Sequence, residues 1–487
     1  MARVTRRDFL KKSFAAGITL AVASRASSYA RILGANDEIH IGVIGFRSKG
    51  AQHIKVFHEI PGVRVVALCD VDQEFLMREE QAFKERNESV TTCQDFRKLL
   101  ENKDIDAVVI ATPNHWHSLM GILACQAGKD VYVEKPISHN IWEGRKLVEA
   151  ARKYNRIVQA GTQNRSDVGF REAVEYMKAG NLGKVLWAHG VWYKEREPIG
   201  KVNGPQPVPE SVNYDLWVGP AKMQKLMRER LHYDWHWFWE YGSGEMGNLG
   251  VHQIDDIRFA VDLPEYPHRV ISFGGRFNFD DDGETPNTQV AIFDYETIPV
   301  IVEVRNLPRE KGQRGVMDHL RGSRMGNIIQ CENGYFVGGR GGGWSYDNDG
   351  KKLVQFPGDG GGTHQANFIE AMRSRKPDDL RGEVLNGHIS SLLCHAANIS
   401  YQLGKSQKPE EIQALYPGFE QAQETLERIK SHLSKNEVDF SKDPFILGPW
   451  LTLDSRQEKF VNDFSQKANQ MLKRKKYRKP FVVPENV

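Results

Sequence analysis

The hydrophobic pattern changes character along the chain. From residue 39, short runs rich in Val and Ile are each closed by glycine or polar residues. Residues 39–44, 63–69, 106–111, 130–133 and 157–160 read as buried strands, because near-continuous apolar runs suit a sheet covered on both faces. Helical periodicity fills several gaps: after residue 50 to about residue 60, at 119–127 and at 141–154. Strand alternating with helix predicts an α/β fold with a doubly wound parallel sheet. Beyond it, residues 186–193, 270–273, 288–295 and 299–304 read as strands, and 364–373 and 387–402 as helices.

The first strand runs into Gly45-Phe46-Arg47-Ser48-Lys49-Gly50-Ala51. Strand, glycine turn and helix start give backbone N–H groups that can face a pyrophosphate. Arg47 stands where a dinucleotide fingerprint has its middle glycine. The charge of Arg47 or Lys49 is the compensation available. The second strand ends in Asp70-Val71-Asp72, with Asp70 25 residues after Gly45. A carboxylate near that spacing binds the adenosine ribose hydroxyls and repels a 2′-phosphate, which favours NAD over NADP. Arg47 and Lys49 weaken that preference, and a helix N-cap is the plainer role for Asp70.

The remaining strands end in polar clusters: Thr112-Pro113-Asn114-His115-Trp116-His117, Glu134-Lys135-Pro136 and Gly161-Thr162-Gln163-Asn164-Arg165. Ligands of such sheets sit beyond the carboxyl ends of the strands. A partly dry lysine can take a proton from a hydroxyl, so Lys135 is a candidate base as well as a surface partner for Glu134. In 242–256, a helix would put Asn248, His252 and Asp255 on one face. His252 can then relay protons or serve as a structural residue. Between 232 and 241 the chain reads His-Tyr-Asp-Trp-His-Trp-Phe-Trp-Glu-Tyr. Trp235 and His236 there suit either sugar binding or an aromatic core. The glycine clusters at 338–343 and 358–362 read as flexible loops. Residues 420–433 and 456–472 read as tail helices, and Lys473-Arg474-Lys475-Lys476 as a solvated helix end.

A chain of 487 residues exceeds one core, which stops growing near about 250–300 residues. Lys and Arg number 66 against 63 Asp and Glu. That balance gives no support for nucleic-acid binding. Five cysteines without a C-x-x-C pair exclude a disulfide scaffold, and no ligand set for a metal is apparent. At the N-terminus, Arg6-Arg7 precedes an apolar stretch at 14–23, too short for a bilayer that needs about 20 residues. It resembles a twin-arginine export signal, which predicts a periplasmic or otherwise exported protein and no stable membrane insertion.

Taken together, the loop at 41–51, Asp70-Val71-Asp72, the Ala111–His117 cluster, Glu134-Lys135-Pro136 and Gly250-Val251-His252-Gln253-Ile254-Asp255 resemble the Gfo/Idh/MocA family, that of glucose–fructose oxidoreductase and inositol dehydrogenase. The resemblance covers residues 36–405. It implies a nicotinamide cofactor on the Rossmann domain and a C-terminal α+β domain with a largely antiparallel open sheet, often used for oligomerisation. It implies Lys135 as catalytic lysine and His252 as acid/base. Thr112, Pro113, Asn114, His117, Glu134 and Gln163 join Gly45, Arg47, Gly50 and Asp70 around the cofactor. The candidates for substrate contact are Trp235, His236, Asn248 and Asp255, together with Lys135 and His252. The family often has Asp where this chain has Asn248, and an amide takes no proton. It can only orient substrate or water.

The expected organisation is therefore a signal at 1–35, a Rossmann domain at 36–165, a substrate and oligomerisation domain at 166–405, and a helical extension at 406–487. The expected activity is hydride transfer between a sugar, polyol or glycoside and tightly bound NAD, with NADP as the variant. The alternative is a redox-neutral, NAD-dependent glycosidase. A non-catalytic sugar-binding relative is third.

Overall fold

Six strands form the first sheet: β1 (Ile39–Ile44), β2 (Val63–Cys69), β3 (Thr91–Cys93), β4 (Ala107–Ile110), β5 (Asp130–Val133) and β6 (Val158–Ala160). They run parallel in the order 3-2-1-4-5-6. The order reverses between β1 and β4, and a crevice opens there at the carboxyl ends. β3 is too short and too polar, at Thr-Thr-Cys, to stand out in the hydrophobic pattern. The computed structural model describes residues 38–412 and 415–487. The export signal expected at 1–35 lies outside the described residues.

The second sheet contains β7 (Val185–Tyr193), β8 (Arg269–Gly275), β9 (Thr288–Asp294), β10 (Pro299–Arg305), β11 (Met325–Cys331), β12 (Gly334–Gly339), β13 (Gly342–Tyr346) and β14 (Lys352–Pro357). These run in the order 14-13-12-11-7-10-9-8, antiparallel except for the β7–β10 pair, and four short strands between residues 405 and 461 extend the sheet beyond β8. One face packs on the helices Val168–Lys178, Val251–Ala260 and Val384–Gln402. On the other, Leu426, Ile429 and Leu433 of the helix Glu420–Lys435 cover Ile271, Phe273, Ile292 and Ile301.

Two expectations are corrected here. Residues 338–343 are the paired ends of β12 and β13 with the two-residue turn between them, not a flexible loop. Glycine serves close approach: a Cβ on Gly342, where φ is +83°, would lie 1.8 Å from the carbonyl oxygen of Phe356. The helix expected over 456–472 is replaced by a hairpin, Leu451–Asp454 with Lys459–Val461, and a short helix Ser465–Asn469. Leu451 and Leu453 are buried and alternate with Thr452 and Asp454, the period of a strand. In the basic run that follows, Arg474 is mostly buried and bonded to Glu240. Among the described residues, no helix is long and apolar enough to cross a membrane.

Glu303 ties the tail helix to the sheet. It is fully buried and accepts hydrogen bonds from Arg305, from Arg428 Nη2 at 2.9 Å and from Tyr193 Oη at 2.9 Å. Burial opposes its charge, but the two guanidinium groups prevail and hold the carboxyl well below its usual range. Glu303→Gln leaves buried cations unmatched and is expected to cost about 3 kcal/mol in denaturant unfolding at neutral pH. A group with a depressed folded pKa stabilises above its unfolded pKa, so the difference from wild type shrinks as pH falls below the ordinary carboxylate range. A constant difference down to acid would contradict this.

Candidate active site

The site is built at the strand ends. β1 turns at Gly45, where φ is +77° and a Cβ would crowd Thr112 and the Ala111 carbonyl. A Cβ on Gly50 would lie 2.0 Å from the Gly45 carbonyl oxygen, so the helix Lys49–His58 can start against the turn only with glycine there. Asp70, at the end of β2, accepts the Phe46 N–H and the Asp72 N–H, each at 3.1 Å. Burial pushes its carboxyl up to about 6 despite those donors. The N-cap of the next helix is Asp72, which accepts from the Glu74 N–H at 3.1 Å. Asp70 is thereby left facing the crevice.

An open cavity of about 450 Å³ runs from this turn to the second domain. Every candidate site residue lines it except Gly50 and Asp255. Gly50 shapes the turn from behind. Asp255 is buried elsewhere, bonded to Arg165 at 2.7 and 3.0 Å and to Ser390 at 2.7 Å. The expected common face fails because Met246–Gly250 form one turn of π-helix before the α-helix Val251–Ala260 begins. The wider turn changes the register between Asn248 and Asp255. It leaves Asn248 and His252 on the cavity and Asp255 against the helix Val384–Gln402.

Glu134 and Lys135 follow β5. The Glu134 carboxylate accepts from His53 Nε2 at 2.9 Å and from the Lys135 N–H at 3.2 Å. Burial disfavours its charge, but the His53 bond and the charges of Lys49 and Lys135 hold it far below the normal range. Lys135 Nζ reaches across to the second domain. It donates to the Asn248 carbonyl oxygen at 2.6 Å and lies 3.3 Å from Asn248 Oδ1. Burial lowers the Lys135 pKa, against the opposing pull of Glu134 and Glu245.

The orientation of Asn248 is fixed from behind. Its Nδ2 donates to Glu245 Oε2 at 3.1 Å, which leaves Oδ1 toward the lysine. Glu245 is 0% exposed, and its other oxygen accepts from Arg196 Nε at 2.7 Å and Asn306 at 3.2 Å. A chain of polar contacts therefore runs Arg196–Glu245–Asn248–Lys135. Sequence reasoning missed Glu245 and Arg196. Glu245 had one signal, its i−3 spacing from Asn248 on a helix; Arg196 lies in a loop with none.

His252 stacks near Trp192, with ring centroids 5.5 Å apart. Its Nδ1 is buried without a partner among the described residues. Burial first, and then the Lys135 charge, push its pKa down to about 3, so the ring is neutral at physiological pH. His117, buried, sits between the carbonyl oxygens of Pro136 and Thr112, 2.7 Å from each, and joins the β4 and β5 loops.

The long segment 194–245 forms the opposite wall. It docks at the tip of β2 through His232 Nε2 on Asp72 at 2.9 Å, the Asn213 N–H on Val71 O at 2.8 Å, and the Gln73 N–H on Ser211 O at 2.9 Å. Trp235 is 7% exposed and packs with Trp217, Leu231 and Tyr241, so it is chiefly core with an edge on the cavity. His236 stacks on Trp235 with centroids 3.7 Å apart and donates from Nδ1 to the Tyr233 carbonyl at 2.6 Å. Its Nε2 is left as an acceptor. A dinucleotide fits these residues: a glycine turn with no room for a Cβ, an acid at the next strand tip, and a cavity continuing to Lys135. Among the described residues, no group of three His, Cys, Asp or Glu could hold a metal ion.

Comparison with known proteins agrees with this geometry. Residues 39–162 match the family model described as oxidoreductase family, NAD-binding Rossmann fold, and residues 188–271 match its C-terminal alpha/beta domain. The chain is 33% identical over 171 residues to glycosyl hydrolase family 109 protein 2 of Shewanella sp. strain ANA-3, covering 31% of this chain and 38% of that protein. It is 27% identical over 179 residues to inositol 2-dehydrogenase of Salmonella typhimurium, covering 36% of this chain and 52% of that one. The matches thus span about half or less of these relatives. The WlbA dehydrogenase of Bordetella pertussis, solved with NADH and UDP-GlcNAcA, shares the fold at a TM-score of 0.53 and 19% identity, over 74% of this chain and 95% of that one.

The Lys135 environment is testable by titrating its ammonium with NMR of labelled lysine. Glu245→Gln removes a charge that favours the protonated form, so the Lys135 pKa should fall. Asn248→Asp places a carboxylate beside Nζ, so it should rise, by about one unit or more. Shifts of the opposite sign, or none, would contradict the contact chain.

Proposed function

We propose that this chain, a member of the Gfo/Idh/MocA oxidoreductase family with an NAD-binding Rossmann domain, oxidises a hydroxyl of a sugar, polyol or glycoside. The observation that carries this reading is Lys135 Nζ held 2.6 Å from the Asn248 carbonyl, across the domain boundary and on the wall of the nucleotide-sized cavity. Gly45, Arg47 and Asp70 would hold the adenosine and phosphate half of NAD, and Thr112, Pro113 and Asn114 the remainder. Bound there, the nicotinamide would supply a hydride acceptor.

The protein's own groups perform the proton chemistry. Burial makes Lys135 a weaker acid-holder than a surface lysine, so its neutral amine can take the hydroxyl proton at Nζ. Asn248, oriented by Glu245, keeps Nζ aimed at the substrate instead of into solvent. Neutral His252 offers a second acceptor on the same wall. The segment 194–245 closes over the β2 tip and limits water and cofactor escape. Residues 1–35, with Arg6-Arg7 before an apolar stretch, direct export through the twin-arginine route. Free NAD would be scarce there, so the cofactor stays bound and is reoxidised by a second substrate.

A glycosidase is the second reading, favoured by the 33%-identical Shewanella glycosyl hydrolase. In that cycle Lys135 and His252 take and return protons while the cofactor ends unchanged. A panel of glycosides and polyols with NAD-loaded protein separates the two. Net cofactor reduction in single turnover supports the dehydrogenase; aglycone release without net reduction supports the hydrolase. Lys135→Ala should slow either reaction by about a hundredfold or more while still binding NAD. Turnover unchanged in Lys135→Ala would overturn both readings.

A further inference from the structure

We propose that the substrate is anionic: a sugar carrying a carboxylate or a phosphate, bound by Lys194, Arg196 and Arg340. This deepens the oxidoreductase reading and rests on it. The acids lining the cavity are Asp70 and Glu134, both at the ends of strands in the nucleotide domain. The wall contributed by the second domain presents three cations and no carboxylate.

Each cation is placed by rigid backbone. Beyond β7 the chain stays extended, with the Lys194 N–H on Arg305 O at 2.9 Å and the Arg196 N–H on Asn306 O at 3.2 Å. Residues two apart on an extended segment project to the same side. Lys194 and Arg196 are therefore neighbours, and the Arg196 charge is the first cause of a lowered Lys194 pKa. Arg196 uses Nε on Glu245 and Nη1 on Tyr233 Oη, each at 2.7 Å, and among the described residues Nη2 has no hydrogen-bond partner. Arg340 sits at the β12–β13 turn. Buried Asp167 pins that turn by accepting the Gly341 N–H at 2.8 Å and the Gly360 N–H at 2.6 Å. Among the described residues, neither Lys194 nor Arg340 forms an ion pair.

Like charges on one concave wall repel each other and concentrate a positive potential in the cavity. A bound anion relieves that repulsion, and guanidinium and ammonium groups bind carboxylate and phosphate through charge-assisted hydrogen bonds. The cofactor phosphates do not need these groups, because Arg47 and Lys49 stand at the glycine turn across the cavity. His236 Nε2 and the Trp192 indole N–H, which is buried without a partner among the described residues, remain for hydroxyl groups.

The test uses NAD-loaded full-length protein and three sets of probes: hexuronates, hexose phosphates and the parent neutral hexoses. Bound-cofactor reduction gives half-saturation, and calorimetry gives binding independently. At least one acidic probe should bind about tenfold more tightly than its neutral parent, with an affinity that falls as salt rises. Whichever acidic set wins identifies the anion. In Lys194→Gln and Arg340→Gln the acid-to-neutral ratio should move toward one. Neutral hexoses binding as well as every acid, an unchanged ratio in both variants, or a loss of NAD affinity in place of acid affinity would overturn the proposal. If no probe reduces the cofactor, the oxidoreductase reading fails, and the calorimetric ratio still decides the charge of the ligand.

Discussion

A lysine ammonium withdrawn from water has to be met by oxygen atoms, and Lys135 finds them in the other domain. An unmatched charge at that depth would cost several kcal/mol. The Asn248 carbonyl and side-chain oxygens at 2.6 and 3.3 Å therefore fix how the end of β5 faces the turn of helix that follows residue 245. Glu245 and Arg196 extend the constraint inward, so the lysine is held by a line of three residues, Asn248, Glu245 and Arg196. Burial beside that line lowers the Lys135 pKa, while the Glu245 charge pulls the other way. Positioning and chemistry share one set of contacts.

The cavity is divided electrically. On the nucleotide side, Asp70 and Glu134 are each engaged by donors from the protein: backbone N–H groups for the first, His53 for the second. Across from them, Lys194 and Arg340 stand without an ion pair among the described residues, and Arg196 is matched from behind by Glu245. Lys135 and neutral His252 lie on the boundary. The 194–245 segment makes that division possible, since it supplies Arg196, Tyr233 and His236 to one wall while bonding to the β2 tip at the other end.

Much of this was legible in the sequence, for physical reasons. Buried parallel strands are continuous apolar runs, and their polar ends mark the site, so Asp70 and the Thr112–His117 cluster stand out, whereas Lys135 reads equally as a surface lysine until the family resemblance singles it out. What escaped was local geometry that composition hides. A π turn moved Asp255 off the face it was expected to share with Asn248 and His252. Glycines at 338–343 resembled a loop because strands in close contact also need residues without a Cβ. The hairpin at 451–461 lay in a charged tail where two-residue alternation over four positions is too short to assert itself. Glu245 had its i−3 spacing from Asn248 as a signal, but Arg196 matters through a contact between a loop and a distant helix, which no spacing rule reveals.

The most direct test of the central claim is a crystal structure with NAD bound. The expected result has the adenosine ribose on Asp70, the pyrophosphate at the Gly45–Gly50 turn, and the nicotinamide ring against Lys135 Nζ and the His252 imidazole. A nicotinamide turned out of the cavity, or separated from Lys135 and His252 by packed side chains, would contradict it.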